Sequence, residues 1–206
     1  MKRAILTGFE PFGNYKFNPV QDTAIEYDKK KIGDIEVVGL VVPSTYYGAF
    51  EVLSERMDNL TPDIVLGTGL ASRVKKIRFE TAGRNIMDGK YPDADGLDPK
   101  GAPIIPNGKS HYRMNSDSAA VARHLIENGV PAEVSEDAEC FICNSLIYLT
   151  ARRIRLEGLP IRHAFFHTPW TEDYLGRVEL EPGKIAIPKY HLRKAIELSL
   201  GFLGKD

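Results

Sequence analysis

The most informative stretch for the fold, residues 139–167, has the sequence ECFICNSLIYLTARRIRLEGLPIRHAFFH. An apolar, strand-like run ends at Cys143, and a helical pattern follows it as far as Glu157. Gly158 ends that helix, and a second apolar strand, Arg162–His167, comes next. A strand, a helix and another strand in succession are typical of the crossover connections in an α/β sheet.

Cys143 stands at the predicted start of a helix, where free N–H groups and the helix dipole favour an anion. A thiol in that position forms a thiolate, the nucleophilic species, more readily. A nucleophile also needs a base, and His167 ends the next predicted strand, 24 residues further on. The pair predicts a cysteine hydrolase with its chemistry at one rim of the sheet, although a buried structural role would suit Cys143 alone.

The same alternation of short apolar runs and helical patterns extends along most of the chain. The predicted strands are Lys2–Thr7, Ile35–Val42, Ile64–Thr68, Val74–Thr81, Ala132–Ser135 and Arg162–His167. The predicted helices are Pro19–Lys29, Thr45–Leu60 after a Ser44 cap, Ser116–Asn128, Cys143–Glu157 and Tyr190–Leu203. We therefore expect an α/β protein: a three-layer α/β/α sandwich around a mixed, mostly parallel sheet, with residues 1–206 forming a single domain.

Composition excludes several classes of protein. The 206 residues are 43% hydrophobic and 27% charged, which is typical of a soluble globular domain. The net charge of −1 gives no basic field for nucleic acid, and no apolar run reaches the length of a membrane span. Two cysteines make no disulfide framework, and the apolar run near Met1 is too short for a signal peptide. We expect a cytoplasmic protein that binds neither nucleic acid nor membrane.

Other polar and aromatic residues extend the candidate site. The triad logic requires a third group to orient the histidine, and Glu80, ending a strand expected at the same rim, is one candidate beside Asp63, Asp137 and Glu172. Phe9 and Phe12 lie in a Gly/Pro-rich loop after the first strand, where an apolar pocket is expected. Asn18 is expected to cap the next helix or to present its amide to a ligand. Residues 83–110 lack periodicity, which indicates a functional loop or a subunit contact.

Two alternatives compete with the hydrolase prediction. Cys140 and Cys143 form a C-x-x-C pair before a helix, as in a thiol–disulfide oxidoreductase, although the pair comes late in the chain. His163 and His167 have the spacing of a helical zinc pair but fall in a strand, so no metal site and no cofactor are expected and His163 is predicted to be structural. The other alternative is a non-catalytic relative of the hydrolase that binds a small molecule or a partner.

Taken together, these segments resemble the cysteine-type pyroglutamyl peptidases over nearly the whole chain. The most specific segments are Thr7–Gly13 with Asn18-Pro19, Gly69-Leu70-Ala71, Glu80 with Asn85, Phe141-Ile142-Cys143-Asn144 and Phe165–Trp170. The resemblance implies removal of an N-terminal pyroglutamate (5-oxoproline) from peptides through a thioester acyl-enzyme, with no cofactor. It also implies assembly as a homo-oligomer, a tetramer or a dimer.

The resemblance further implies a role for individual residues. Cys143 would be the nucleophile, His167 the acid and base, and Glu80 the residue that orients His167. The lactam-binding residues would be Phe9, Phe12, Asn18, Gly69, Leu70 and Ile142. Departures from the family pattern are expected to bear on substrate preference and rate but not on the triad. Thr81-Ala82-Gly83-Arg84 follows Glu80, and Lys90 replaces an arginine, which removes any bidentate hydrogen bonding there.

Overall fold

The computed structural model describes residues 1–178, 183 and 185–205. Its helices are α1 (Pro19–Tyr27), α2 (Gly48–Leu60), α3 (Ser118–Glu127), α4 (Ile142–Glu157) and α5 (Lys189–Leu203), with a 3-10 turn at Glu172–Tyr174. Its strands are β1 (Lys2–Phe9), β2 (Lys31–Ile32), β3 (Ile35–Val42), β4 (Ile64–Leu70), β5 (Ile77–Glu80), β6 (Ala82–Arg84), β7 (His111–Arg113), β8 (Ala132–Ser135), β9 (Arg162–Thr168), β10 (Trp170–Thr171) and β11 (Ala186–Ile187).

Seven strands form the central sheet in the order β2-β3-β1-β4-β9-β5-β8. The four strands from β3 to β9 in this order run parallel, whereas β5 is antiparallel to β9 and β2 is antiparallel to β3. β8 is parallel to β5. The prediction of a mixed, mostly parallel sheet is therefore confirmed.

Helices cover both faces of the sheet and bury its apolar side chains. α2 and α4 pack on one face, around Leu53, Ile147 and Phe165. α1, α3 and α5 pack on the other face, around Val121, Phe166 and Ile196. The two cores make a three-layer α/β/α sandwich, as predicted, because each strand of the central sheet alternates its side chains between the two helical layers.

Close packing of α1 against the sheet positions the loop that precedes it. A Cβ added at Gly8 of β1 would lie 2.0 Å from the Val20 carbonyl oxygen, and one at Gly39 of β3 would lie 1.9 Å from that of Ala24. Only glycine allows the helix backbone to approach this closely. The loop between β1 and α1 is thus held over the carboxyl end of β1.

Several predicted boundaries change where tertiary contacts override the local pattern. The second helix begins at Gly48 rather than Thr45, because the Ser44 hydroxyl donates to the Glu10 carbonyl at 2.8 Å instead of capping the helix. The predicted strand Val74–Thr81 shortens to β5 and is almost fully buried, since β9 and β8 flank it. The bounds predicted for β3 and β8 are confirmed.

Candidate active site

Cys143 lies in the first turn of α4, two residues after the N-cap residue Phe141. The prediction that a strand runs into Cys143 is wrong, because β8 ends at Ser135 and an irregular segment leads from there to the helix. Phe141 is extended and Ile142 begins the helix, where both pack on the core instead of pairing in the sheet. The side chain of Phe141 makes no capping hydrogen bond, so the first N–H groups of α4 are left to act on the thiol.

His167 is buried near the carboxyl end of β9, beside Gly69 of β4. Its Nδ1 lies 2.8 Å from Glu80 Oε1, and this contact joins two side chains that are 87 positions apart in sequence. Burial lowers the pKa of His167, but the charge of Cys143 and its hydrogen bond to the ring, together with Glu80, outweigh burial and raise the pKa to about 10. These neighbours therefore favour the protonated form of the imidazole.

Glu80 reaches the histidine from inside the sheet. β5 runs antiparallel to β9, with Arg78 beside His167 and Phe79 beside Phe166, so the end of β5 points away from the rim. The expectation that Glu80 lies at the rim is therefore wrong, because β5 runs in the opposite direction to β9. The Glu80 side chain is only 1% exposed. A carboxylate in this position has little contact with water and acts strongly on the imidazole.

Gly69 leaves the space in which the thiol and the imidazole meet. A Cβ added at this position would lie 2.8 Å from Cys143 Sγ, 3.1 Å from His167 Cδ2 and 3.1 Å from Phe165 Cζ. The sulfur and the ring therefore approach from two sides of one glycine. Gly69, which the resemblance places at the lactam, is placed by the structure behind the Cys–His pair.

A cavity of about 830 Å³ opens over the side chains of Cys143, His167 and Glu80. Phe12, Tyr15, Leu70 and Phe141 supply aromatic and aliphatic parts of its wall. Phe12 lies edge to face with Tyr15 and tilted against Phe141, at centroid distances of 5.7 and 6.2 Å. A flat, uncharged ring could be held against this wall next to the thiol.

The other residues that the resemblance assigns to the lactam do not line this cavity. Phe9 and Ile142 are buried in the core on the α2–α4 face of the sheet. The Asn18 amide is engaged within the protein, since its Oδ1 accepts from the Val20 N–H and its Nδ2 donates to the Glu10 carbonyl at 3.2 Å. The capping role predicted for Asn18 is confirmed, and its amide ties the start of α1 to Glu10, the residue that follows β1.

The aperiodic segment supplies one wall of the cavity through residues 88–94. Asp93 holds this wall in place, because its carboxylate accepts from the N–H groups of Tyr46, Asp95 and Leu97 at 2.9 to 3.0 Å. Lys90 is an exposed part of the same wall, with its Nζ 5.2 Å from the Tyr91 ring centroid. The departure from the family pattern at Lys90 therefore lies at the mouth of the cavity.

Asn144, the residue after Cys143, has a structural role that sequence reasoning missed. Its Oδ1 accepts from the Arg84 N–H at 2.7 Å, and its Nδ2 donates to the carbonyls of Arg84 and Ile86 at 2.9 Å each. The side chain is fully buried and ties β6 to the start of α4. The signal available in the sequence was a lone amide on the buried face of a helix, where every polar atom needs a partner.

The two cysteines have different partners, which disfavours the redox alternative. Cys140 Sγ accepts from Arg84 Nη2 at 3.2 Å, and the same nitrogen lies 2.5 Å from Asp137 Oδ1. Cys143 instead contacts His167. In the described part of the chain no group of three or more His, Cys, Asp or Glu side chains could hold a metal ion. His163 is buried in β9, where sequence reasoning expected a structural residue.

The fold and this arrangement of thiol, imidazole and carboxylate define a class: a cysteine peptidase built on an α/β/α sandwich. Comparison with known proteins gives the family. The family model for pyroglutamyl peptidase matches residues 2–196, and the chain belongs to that family.

Individual relatives support the family assignment. The pyrrolidone-carboxylate peptidase of Thermococcus litoralis is 34% identical over 213 residues, which cover 100% of this chain and 96% of the relative. One from Bacillus cereus is 30% identical over 200 residues, 97% of this chain and 92% of the relative. The solved structure of the Thermococcus litoralis pyrrolidone carboxyl peptidase superposes with a TM-score of 0.91 at 32% identity, covering 98% of this chain and 92% of that one. Pyroglutamyl peptidase I of Bacillus amyloliquefaciens gives 0.89 at 28% identity, covering 97% and 95%.

Proposed function

We propose that this protein removes the N-terminal pyroglutamate of peptides by thiol catalysis, with Cys143 as nucleophile, His167 as acid and base, and Glu80 as the residue that orients His167. The observation that carries the proposal is the 2.8 Å contact between His167 and a buried Glu80, below a cavity that also exposes Cys143 and Phe12. Membership of the pyroglutamyl peptidase family supports the substrate class.

The reaction begins with a thiolate at Cys143 and an imidazolium at His167, which Glu80 stabilises. The thiolate attacks the pyroglutamyl carbonyl carbon, and the tetrahedral oxyanion lies near the free N–H groups at the start of α4. His167 gives its proton to the leaving amine as the C–N bond breaks, and a thioester remains. Water then gives a proton to His167 and attacks the thioester, which releases 5-oxoproline and the thiolate.

Specificity follows from the chemistry of the ring. The lactam of pyroglutamate is flat and uncharged, so the apolar wall of Phe12, Leu70 and Phe141 accepts it without desolvating a charge. An N-terminal glutamate would bring an ammonium and a carboxylate to the same wall. The remaining volume of the cavity, toward residues 88–94, accommodates the peptide that follows the ring.

The test of the proposed function compares three amides that share one fluorogenic leaving group: pyroglutamyl, prolyl and glutamyl. Under reducing conditions we expect the pyroglutamyl amide to be cleaved with a kcat/KM on the order of a hundredfold or more above the other two. Equal rates for the prolyl and pyroglutamyl amides would contradict the assigned specificity. Cleavage of none of them by the folded protein would contradict the proposed activity.

The proposal also covers the domain organisation, the cellular location and the oligomeric state of the protein. Residues 1–206 act as one peptidase domain in the cytoplasm, where a catalytic thiol stays reduced, and both cysteines are free. No helix within the described residues has the length and apolarity needed to cross a membrane. The family resemblance further suggests a dimer or tetramer, which light scattering coupled to gel filtration measures directly.

A further inference from the structure

We propose that a second cavity, lined in part by the C-terminal half of α4, is a binding site for a small, multiply charged anion such as phosphate. This cavity has a volume of about 640 Å³ and shares no lining residue with the catalytic cavity. Its walls come from residues 109–115, which include β7, from the last turns of α4 and from the first residues of β9. Nothing in the proposed peptidase mechanism uses these groups.

The charged side chains that line this cavity are all positive. Lys109, Arg113 and Arg155 reach the cavity from two separate elements, and no Asp or Glu is among the lining residues that the structure describes. Among the described residues, the ion pair at these cations joins the Arg113 guanidinium to the Glu136 carboxylate at 4.0 Å and leaves the Arg113 side chain 63% exposed. A helix C-terminus accounts for a cation at Arg155, which lies in the last turn of α4, but not for the two cations from the 109–115 segment.

A buried imidazole in the same lining points to a ligand. His163 is 1% exposed, its Nδ1 has no hydrogen-bond partner within the described structure, and its backbone N–H is already taken by Asn115 at 2.8 Å. Burial lowers the pKa of His163 to about 3, so the ring is neutral near pH 7 and offers one donor and one acceptor. A buried polar group without a partner costs free energy, and a molecule in the cavity could supply that partner.

Three cations around a polar, neutral ring form a recognition set for phosphate. Guanidinium groups bind phosphate oxygens in a bidentate manner, and the Lys109 ammonium adds a point charge. The volume of the cavity accommodates such an anion together with several water molecules. The site therefore selects for anions of more than one negative charge over chloride.

The experiment measures binding of inorganic phosphate to the full chain by isothermal titration calorimetry and by the shift of the thermal midpoint, with sodium chloride at equal ionic strength as the reference. We expect phosphate to bind and to raise the midpoint above the chloride reference. Arg155→Gln should weaken phosphate binding about tenfold, because it removes a hydrogen bond to a charged group, while Arg155→Lys should retain part of the affinity. His163→Asn should also weaken phosphate binding if the ring contacts the anion, with circular dichroism and a cooperative thermal transition reporting that the variant is folded.

Arg152→Gln is the matched control, since it removes the same charge from the same helix at a position outside the cavity lining. Its phosphate affinity should stay within about twofold of the parent chain, because Arg152 does not line the cavity. Three results would overturn the proposal: no phosphate binding beyond chloride, an equal loss in Arg152→Gln and Arg155→Gln, or full affinity in Arg155→Gln. Because binding is measured directly, failure of the peptidase activity would leave this test intact.

Discussion

At the residue scale, the catalytic proposal depends on a histidine that stays protonated well above neutral pH. Burial alone would favour the neutral ring, so the cation persists only because Cys143 and Glu80 act on it together. Glu80 contributes through a 2.8 Å contact with Nδ1, which also fixes the orientation of the ring. Orientation and charge are therefore supplied by one carboxylate, and a substitution can separate the two effects.

Glu80→Gln keeps the shape of that side chain and removes its charge. The pKa of His167 should fall, because the parent value of about 10 includes the effect of the carboxylate, and the alkaline limb of the pH–kcat/KM profile should move to lower pH. We also expect kcat to fall on the order of 10⁴-fold, as for other triads that lose their acidic member. Glu133→Gln, at a carboxylate that pairs with Arg78, is the control. An unchanged alkaline limb in Glu80→Gln would contradict the role of Glu80.

Gly69→Ala tests whether the space between the sulfur and the imidazole matters. The added Cβ would lie 2.8 Å from Sγ, so the thiol or the ring has to move. A displacement of this kind should lower kcat on the order of a hundredfold. Gly201→Ala, where a Cβ in α5 would meet nothing within 4 Å, should leave kcat unchanged. Steady-state kinetics of both folded variants measures the effect. Full activity in Gly69→Ala would contradict the close packing of Cys143 and His167 against Gly69.

At the element scale, the local pattern was sufficient for most helices and strands but not for the way they pair. The strand Arg162–His167 and the helix that ends at Gly158 lie close to their predicted bounds, because apolar periodicity and a C-terminal glycine are local signals. The antiparallel placement of β5 next to β9, and hence the burial of Glu80, depends on sheet order, which no local pattern contains. For the same reason the short strands β2, β6, β7, β10 and β11 were not predicted.

In the candidate site too, some residues could be predicted from the sequence and others required the structure. Cys143 and His167 could be predicted because each stands at the end of an apolar run. The pairing of His167 with Glu80 rather than with another acid, and the role of residues 88–94 as a cavity wall, required the three-dimensional structure. Phe9 and Ile142 lie in the core, because apolar residues next to a site are as well suited to packing as to binding.

The start of α4 is positioned by Asn144, and Asn144→Ala should disconnect it from β6. Three hydrogen bonds are lost and buried backbone groups of Arg84 and Ile86 are left unpaired, which should destabilise the fold by about 2 to 4 kcal/mol. Because Cys143 is the preceding residue, kcat should fall as well. Asn85→Ala is the control, since Asn85 makes a similar pair of bonds to Ile105 away from the thiol. Denaturant unfolding and kinetics of both variants separate the two effects, and a drop in kcat of equal size in both would contradict the assignment.

At the scale of the whole molecule, the buried His163 couples stability to pH. Its pKa is lowered to about 3 in the folded state against 6.5 for a free histidine, so below pH 6.5 the unfolded chain binds a proton that the folded chain does not. Stability from this group is therefore complete above pH 6.5 and is lost as the pH falls toward 3. A single group of this kind contributes a slope of up to about 1.4 kcal/mol per pH unit.

His163→Asn should remove that slope. Unfolding free energies from urea titrations between pH 6.5 and 4.5 should decrease less steeply in the variant than in the parent. His191→Gln, which changes a ring that packs on Tyr190 in α5, should retain the parental slope. Parallel curves for His163→Asn and the parent chain would show that His163 does not carry this pH dependence.

The identity of the nucleophile is the central claim, and one measurement tests it most directly: release of a fluorophore from a pyroglutamyl amide by the parent chain, Cys143→Ser and Cys140→Ser under reducing conditions. We predict turnover by the parent, nearly full turnover by Cys140→Ser and none detectable for Cys143→Ser, with all three proteins folded. Retained activity in Cys143→Ser, or a requirement for both cysteines, would contradict the account.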